Sequence, residues 1–475
     1  MKKQLPFLPI VAFVSGFSLM AFELAAARVL APSIGSSTYV WTSVIGVIIA
    51  ALSIGYWVGG KYADLRNRLS DVAWLCLAAA ITVTLTLLMY LSSIESTVQT
   101  IEDARIQGVM ASLLLFAPTS FLIGMLSPYL VKLRVTSLQT SGQSFASLSA
   151  LESIGGITGT FITGFILFGY IGAREAFAVI VLLLLITSWM ITPKHRWQLR
   201  LGVTIGIVLF CWGGLQLGSR NEIDTATAHY SIFEGATRDG RLARGISTDP
   251  NGTQSGIYLD DPNELLFWYT QRMAEVVAAA PKHDHILVLG GGAFTLPQHL
   301  ATTYPNSQID VVEIDPGLAK IARERFAYRD PSNVELIFHD ARTYVDRAQR
   351  TYDVILVDVY SDGDVPFSLM TKEYGQQVYR LLNKNGVVAV NMIAAQSGAC
   401  STLLAALDAP YRQNLPQVKY MIQSSGLSKS NIVVSYSKMP LQWQGAKPLD
   451  LAPVQAYSDN FAPAERLQQS CQNSV

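Results

Sequence analysis

Residues 285–292 read His285-Ile-Leu-Val-Leu-Gly-Gly-Gly292. A short apolar run closed by glycines has the length and flanks of a strand buried on both faces. Working outward, the pattern repeats at Gln308–Ile314, Val334–His339, Tyr352–Asp358 and Gly386–Met392. Helical stretches lie between them, near 295–303, 316–327 and 371–383. Strands alternating with helices predict a parallel sheet with crossover helices, an α/β Rossmann-like domain. Such sheets bind ligands at the carboxyl ends of their strands, so the residues there carry the functional signal.

Glycines and acids fall at those ends in order. Gly290, Gly291 and Gly292 close the first strand, Glu313 the second, Asp340 the third and Asp358 the fourth. Glycines let the backbone approach a ligand closely, and an acid about 20 residues on accepts hydrogen bonds from a ribose diol. Asp340 with the adjacent backbone of Ala341 is placed to grip an adenine edge, the lesser alternative being a cap on the helix that begins there. The turn Gly290-Gly-Gly-Ala-Phe-Thr295 lacks the last glycine of a dinucleotide fingerprint, and the chain has no P-loop lysine pattern. The pattern points to a sulfonium nucleoside, S-adenosylmethionine or its decarboxylated form, on a sheet like that of the S-adenosylmethionine methyltransferases.

The first half of the chain is of another kind. The 475 residues are 50% hydrophobic and only 15% charged, with mean hydropathy +0.30. Soluble chains carry roughly 25% charge, so a wholly soluble or disordered protein is excluded. The apolar excess lies before about residue 220, in seven stretches near 6–29, 38–60, 72–92, 109–131, 145–171, 174–192 and 199–218. Each approaches the ~20 residues needed to cross hydrocarbon. The first follows Met1-Lys2-Lys3 with no clean cleavage site and is read as an uncleaved helix. The expected architecture is therefore an α-helical multi-pass membrane domain of about seven transmembrane helices over 1–220. An α/β domain follows over 225–475, with a small β region at 225–262 and the nucleoside-binding sheet at 263–475.

Charge placement gives an orientation. Lys2 and Lys3, then Lys61, Arg66 and Arg68, then Lys132 and Arg134, then Lys194, Arg196 and Arg200 fall on alternate loops. The positive-inside rule then puts the N-terminus in the cytoplasm of a cell whose inner membrane holds the chain, and seven crossings put the C-terminal domain outside. Overall the 35 basic and 35 acidic residues cancel, which excludes a basic nucleic-acid-binding surface.

Within the membrane half, Glu23 and Arg28 are read as an internal ion pair, with Glu23 and Glu152 as the alternative markers of a buried site or path. Gly155, Gly159 and Gly164, with Gly55, Gly59 and Gly60, are expected at close helix–helix contacts. Cys76 and Cys211 fall in spans. Cys400 and Cys471 fall in the soluble half, and their pairing, which an oxidising compartment would permit, is left open. No cysteine has zinc-ligand spacing and six scattered histidines make no metal cluster.

Segments of the second half resemble, in order, those of the spermidine synthase (polyamine aminopropyltransferase) family. Asp249-Pro-Asn-Gly252-Thr-Gln254-Ser255 resembles its L-D-G-x-x-Q segment, and Asp261-Pro-Asn-Glu264 with Tyr269 its D-E-F-x-Y-H-E helix. Val288–Gly292, Val312-Glu313-Ile-Asp315 and His339-Asp340-Ala341 resemble its nucleoside-binding steps. Val357-Asp358 resembles the catalytic strand end, and Pro366–Leu369 with Thr371, Glu373 and Tyr374 the stretch after it. The membrane half resembles multi-pass domains fused to such synthases through Glu23, Arg28, Trp41 and the segment 55–64.

The resemblance implies aminopropyl transfer from decarboxylated S-adenosylmethionine to an amine such as putrescine, releasing methylthioadenosine. Asp358 would be the catalytic base and Tyr269 would orient the amine. Gln254, Tyr360 and Asp362 would be further substrate contacts. Three positions depart from the family pattern: Ala293 and Ser361 stand where the family has aspartates, and Thr270 where it has a histidine. Expected partners are the amine, the lipid bilayer and, left open, a second copy of the chain in a homodimer. The rival expectations are a membrane transporter or sensor with a non-catalytic nucleoside- or polyamine-binding domain, and an S-adenosylmethionine-dependent methyltransferase.

Overall fold

The computed structural model describes residues 7–34, 38–101, 104–135, 141–191, 196–217, 221–225, 227–248, 253–360, 365–398, 400–424, 429–451 and 454–472. The chain divides into two units, Met1–Ser231 with Thr248–Pro250, and Ile232–Ser247 with Asn251–Val475.

The first unit is helical: α1 (Leu8–Ile34), α2 (Thr38–Arg66), α3 (Leu69–Thr100), α4 (Ala104–Leu115), α5 (Ala117–Arg134) and α6 (Ser141–Ile162), then a π-helical turn (Thr163–Leu167), α7 (Phe168–Tyr170), α8 (Gly172–Ile191) and α9 (Trp197–Leu217). Six of these helices are long and apolar enough to cross a membrane, and the α4–α5 pair brings the total to seven if it counts as one span. The stretch expected to cross near 109–131 is this bent pair, not a single continuous helix. The axis bends by 55° after Leu115, where Pro118 stands in the first turn of α5 and cannot continue the preceding hydrogen-bond ladder.

The core of this unit gathers Phe22, Phe116 and Phe177, with ring centroids 5.8 and 5.4 Å from Phe22. Small residues set the helix spacing. A Cβ on Gly155 would sit 2.0 Å from the Phe13 carbonyl oxygen, and one on Gly55 2.3 Å from that of Phe121. Thus α6 lies directly on α1, and α2 on α5. Gly164, expected at a similar contact, faces open space.

Arg28, expected to pair with Glu23, finds partners elsewhere. It reaches β1 (Glu222–Asp224), with Nε 3.6 Å from Asp224 Oδ1, and it donates to the carbonyls of Thr225 and Ala228. Arg174 likewise donates to the Gly214 carbonyl (2.6 Å) and lies 3.5 Å from Glu222. Arg200 is fully buried in α9 and donates to Ser188 Oγ at 2.9 Å. It is an interior group, not the loop charge that its place in the sequence suggests.

The second unit opens with the end of β2 (His229–Ala236), β3 (Leu242–Ser247) and β4 (Ser255–Tyr258). There follow α10 (Trp268–Ala279), β5 (His285–Leu289), α11 (Thr295–Thr303), β6 (Gln308–Glu313), α12 (Pro316–Arg325), β7 (Val334–Phe338), α13 (Ala341–Arg347), β8 (Tyr352–Val357), α14 (Lys372–Arg380), β9 (Leu382–Ala394), α15 (Cys400–Arg412), β10 (Gln417–Ile422), β11 (Ser430–Ser437), β12 (Lys447–Pro448) and α16 (Ala464–Gln472). The main sheet has the order β12-β10-β11-β9-β8-β5-β6-β7. Strands β5 to β9 pair in parallel, and β10 to β12 add antiparallel strands beyond β9. The chain leaves β5 toward β6 on one side and returns through β8 on the other. The carboxyl ends of β5 and β8 therefore flank the switch point where such sheets hold ligands. Cys400 and Cys471 form a disulfide joining α15 to α16.

Candidate active site

Every element at the switch point is short, apolar and buried, so its ends are fixed by sheet packing. In β5, Ile286 to Leu289 are at most 1% exposed. The Gly290 N–H donates to the Val312 carbonyl of β6, and the Asp358 N–H to the Leu289 carbonyl. These bonds extend the ladder one residue past each strand and set Gly290 against Asp358. Gly290 has φ +91°, and a Cβ there would lie 2.1 Å from the Asp358 carbonyl oxygen, so only glycine fits.

Glu313 stands at the end of β6, nearly buried. Its carboxylate accepts the Gly291 N–H at 2.8 Å and the Asp315 N–H at 3.0 Å. Burial raises its pKa above the ordinary carboxylate value, and those two bonds lower it. A carboxylate has about four acceptor positions, so capacity remains on Glu313 for a ligand hydroxyl. Asp340, one strand over, is exposed and caps α13, accepting from the Thr343 N–H at 2.8 Å and the Thr343 hydroxyl at 2.9 Å. Both bonds use one carboxylate oxygen, Oδ1. Ala341 behind it is buried. Ile314 is 56% exposed beside Glu313, an apolar surface at a polar strand end that the sequence reading did not single out.

Asp358 is the electrostatic centre. Desolvation raises its pKa from 3.8 to about 6, opposed by hydrogen bonds from Asn391 and Tyr269. The Asn391 Nδ2 donates to Asp358 Oδ1 at 2.9 Å. The Tyr269 hydroxyl also lies 3.3 Å from the Gln254 carbonyl, and burial beside Asp358 lifts the Tyr269 pKa well above its usual value. Tyr269 is thus held neutral, as a donor. A Cβ on Gly292 would come 3.3 Å from Ser255, so the β4 entry that carries Gln254 closes over the glycine turn.

The side-chain acceptors Gln254 Oε1 and Asn391 Oδ1 are buried and find no hydrogen-bond partner among the described residues. Buried polar atoms are almost always satisfied. Two orphaned acceptors near a carboxylate therefore mark a place for a group rich in N–H donors.

The structure thus brings Gln254, Tyr269, the three glycines, Glu313 and Asp358 to one edge of the sheet, with Asp340 and Ala341 on the neighbouring strand end. Tyr360 is near, but its hydroxyl is taken up by β9, donating to the Asn391 carbonyl and accepting the Ile393 N–H, both at 2.8 Å. Asp362 and Ser361 lie outside the described residues. Ala293 is buried, and no acid replaces it on that turn. Asn391 was missed from sequence. Its signal was one polar residue inside the apolar run Val387–Met392, on the strand whose register sets Val390 opposite Val357.

Residues 266–424 match the family model described as the spermine/spermidine synthase domain. Over 136 residues the chain is 35% identical to a polyamine aminopropyltransferase of Vibrio vulnificus, covering 28% of this chain and 46% of that protein. Over 147 residues it is 34% identical to a probable polyamine aminopropyl transferase of Bifidobacterium longum, covering 31% and 32%. The chain spans less than half the length of these curated relatives. A solved structure of a probable spermidine synthase from Corynebacterium glutamicum aligns with TM-score 0.40 and 23% identity, over 53% of this chain and 87% of that one.

Proposed function

We propose that this protein is a membrane-embedded aminopropyltransferase that moves the aminopropyl group of decarboxylated S-adenosylmethionine to an amine and releases methylthioadenosine. The observation that carries the proposal is Asp358: a carboxylate with its pKa near 6, held by Asn391 and Tyr269, beside a glycine turn and two orphaned buried acceptors. The attacking amine must lose a proton to expose its lone pair, and a base with a pKa near the working pH is well matched to take it. The nitrogen then attacks the propyl carbon bonded to the sulfonium. The C–N bond forms, the C–S bond breaks, and its electron pair returns to sulfur as a neutral thioether. Glu313 and the backbone of Gly290–Gly292 would hold the nucleoside, with Asp340 and Ala341 at its adenine edge. Gln254 and Asn391 would accept hydrogen bonds from the amine.

The membrane half of the proposal rests on six candidate spans and one bent pair, and on large apolar side chains such as Trp57, Phe210 and Trp212 that the first unit leaves exposed. Basic residues on alternate loops support a cytoplasmic N-terminus. Seven crossings and the Cys400–Cys471 disulfide support a second unit outside the cytoplasm, where such bonds persist.

The test uses full-length protein in detergent with 1,4-diaminobutane, supplied with decarboxylated S-adenosylmethionine or, in parallel, S-adenosylmethionine. Methylthioadenosine from the first, abolished by Asp358→Asn, is expected. S-adenosylhomocysteine from the second, with no methylthioadenosine from the first, would make the protein a methyltransferase. A reporter fused after residue 475 reads the side of the membrane.

A further inference from the structure

We infer that the first unit contains a binding site of its own for an alkylammonium cation, built around Glu152. The inference stands on this unit alone and does not depend on transferase chemistry in the second.

A cavity of about 640 Å³ opens between α1, α2, α5 and α6, within the ~300–1,000 Å³ of small-molecule sites. Its one acidic group among the described residues is Glu152, whose Oε2 accepts from Ser127 Oγ at 2.7 Å. Among the described residues no lysine or arginine lines it. The rest of the wall is of two kinds. Tyr56, Ser149 and Thr160 bring hydroxyls, while Met20, Phe145 and Ile157 bring apolar surface.

Helix contacts hold the carboxylate in place. A Cβ on Gly16 would lie 1.9 Å from the Glu152 carbonyl oxygen, and one on Gly159 2.5 Å from that of Phe17. The backbone of the turn bearing Glu152 is therefore packed directly against α1. The π-helical turn at Thr163–Leu167 follows Thr160 on the same helix, and such irregularities in long helices gather at functional sites.

An ionisable group among apolar helices is costly unless a partner or a function retains it. Among the described residues Glu152 has a hydroxyl neighbour and no cation in its wall, so a cationic ligand would meet an uncompensated carboxylate there. The chemistry of the wall selects that ligand. A bare alkali ion needs several oxygens converging at short range, and a single carboxylate with scattered hydroxyls in a space this large does not supply them. An ammonium needs one carboxylate and a few hydroxyl acceptors. Its methylene stem would lie along Met20 and Ile157, and an aromatic face attracts the cationic head. The ligand class is a primary amine on an aliphatic chain.

The test uses the full-length Asp358→Asn protein in lipid nanodiscs, so that the second unit's carboxylate does not contribute. Binding of 1,4-diaminobutane is measured by titration calorimetry, with sodium chloride as the inorganic control. Saturable amine binding is expected, weakened at least tenfold by Glu152→Gln and several-fold by Ser127→Ala. A second measurement needs no variant in the cavity: modification of Glu152 by a hydrophobic carbodiimide, read by mass spectrometry, should be slowed by 1,4-diaminobutane. Equal amine affinity in the Glu152→Gln protein, labelling indifferent to the amine, or heat with sodium and none with the amine each overturns the inference. Methylthioadenosine release by a Glu152→Gln protein that retains Asp358 should match wild type, which separates failure here from failure of the transferase proposal.

Discussion

Replacing Asp358 by asparagine should stabilise the second unit at neutral pH while removing activity. Burial raises the Asp358 pKa from 3.8 to about 6, a difference corresponding to about 3 kcal/mol at 1.36 kcal/mol per pKa unit. The direction follows from proton linkage. A folded-state pKa above the unfolded one means that the folded protein binds the proton more tightly. That contribution to stability is fully present below about pH 3.8 and is lost as pH rises through about 6. At pH 8 the carboxylate is ionised and the folded state bears the cost. Asparagine keeps an acceptor oxygen for Asn391 and Tyr269 and carries no charge. Part of the figure is recovered by solvent at the open edge, so a gain of about 1–3 kcal/mol is expected, equivalent to several degrees in melting temperature for a unit of this size. The assay is a pair of melting curves, wild type and Asp358→Asn, at pH 8 and pH 4. The variant should melt higher at pH 8, with the gap closing at pH 4, and its turnover should fall by about 10²–10⁴. Equal or lower melting at pH 8 would refute the desolvated-carboxylate account. Turnover within tenfold of wild type would remove Asp358 from the chemistry.

Further outcomes follow from neighbouring features. Asn391→Ala removes a bond that holds the Asp358 pKa down, so the acid limb of the pH–rate profile should move to higher pH, with activity near pH 6.5 falling more than activity at pH 8.5. Gly290→Ala places a methyl 2.1 Å from a backbone oxygen at φ +91°. A left-handed residue alone costs about 1–2 kcal/mol, so the melting temperature should drop and methylthioadenosine, added as a ligand, should no longer raise it. Cys400→Ala with Cys471→Ala opens a loop of 71 residues, for which chain entropy predicts a loss of about 4 kcal/mol, measurable as a lower denaturant midpoint that reducing agent does not shift further.

Much of this architecture is legible in the sequence because burial writes itself plainly there. A parallel strand covered on both faces reads as an apolar run; β5 is one, and β6 and β8 are apolar but for one buried aspartate each, Asp310 and Asp353, with glycine or acid at each strand end. The antiparallel additions β10 to β12 and the helices α15 and α16 carry no such mark. Their partners are distant in sequence, and only pairing with β9 makes β11 a strand. For the same reason the proximity of Cys400 and Cys471 cannot be read from spacing. At the site, the strand-end acids announced themselves. Asn391 did not, because its importance lies in register with β8, which no single segment encodes. Arg28 misled for a related reason: the nearest acid along the helix was the obvious partner, whereas the structure offers Asp224 and two carbonyls from a segment nearly 200 residues away.

The covalent bridge between α15 and α16 makes the chain a record of its own history. Glutathione in a cytoplasm keeps thiols apart, whereas an exported chain meets oxidant. Protein trapped with an alkylating agent at the moment of lysis and run without reductant would report, molecule by molecule, which environment it had occupied. A mixed population would show that the bridge closes some time after synthesis, so one electrophoretic band ratio would time its formation.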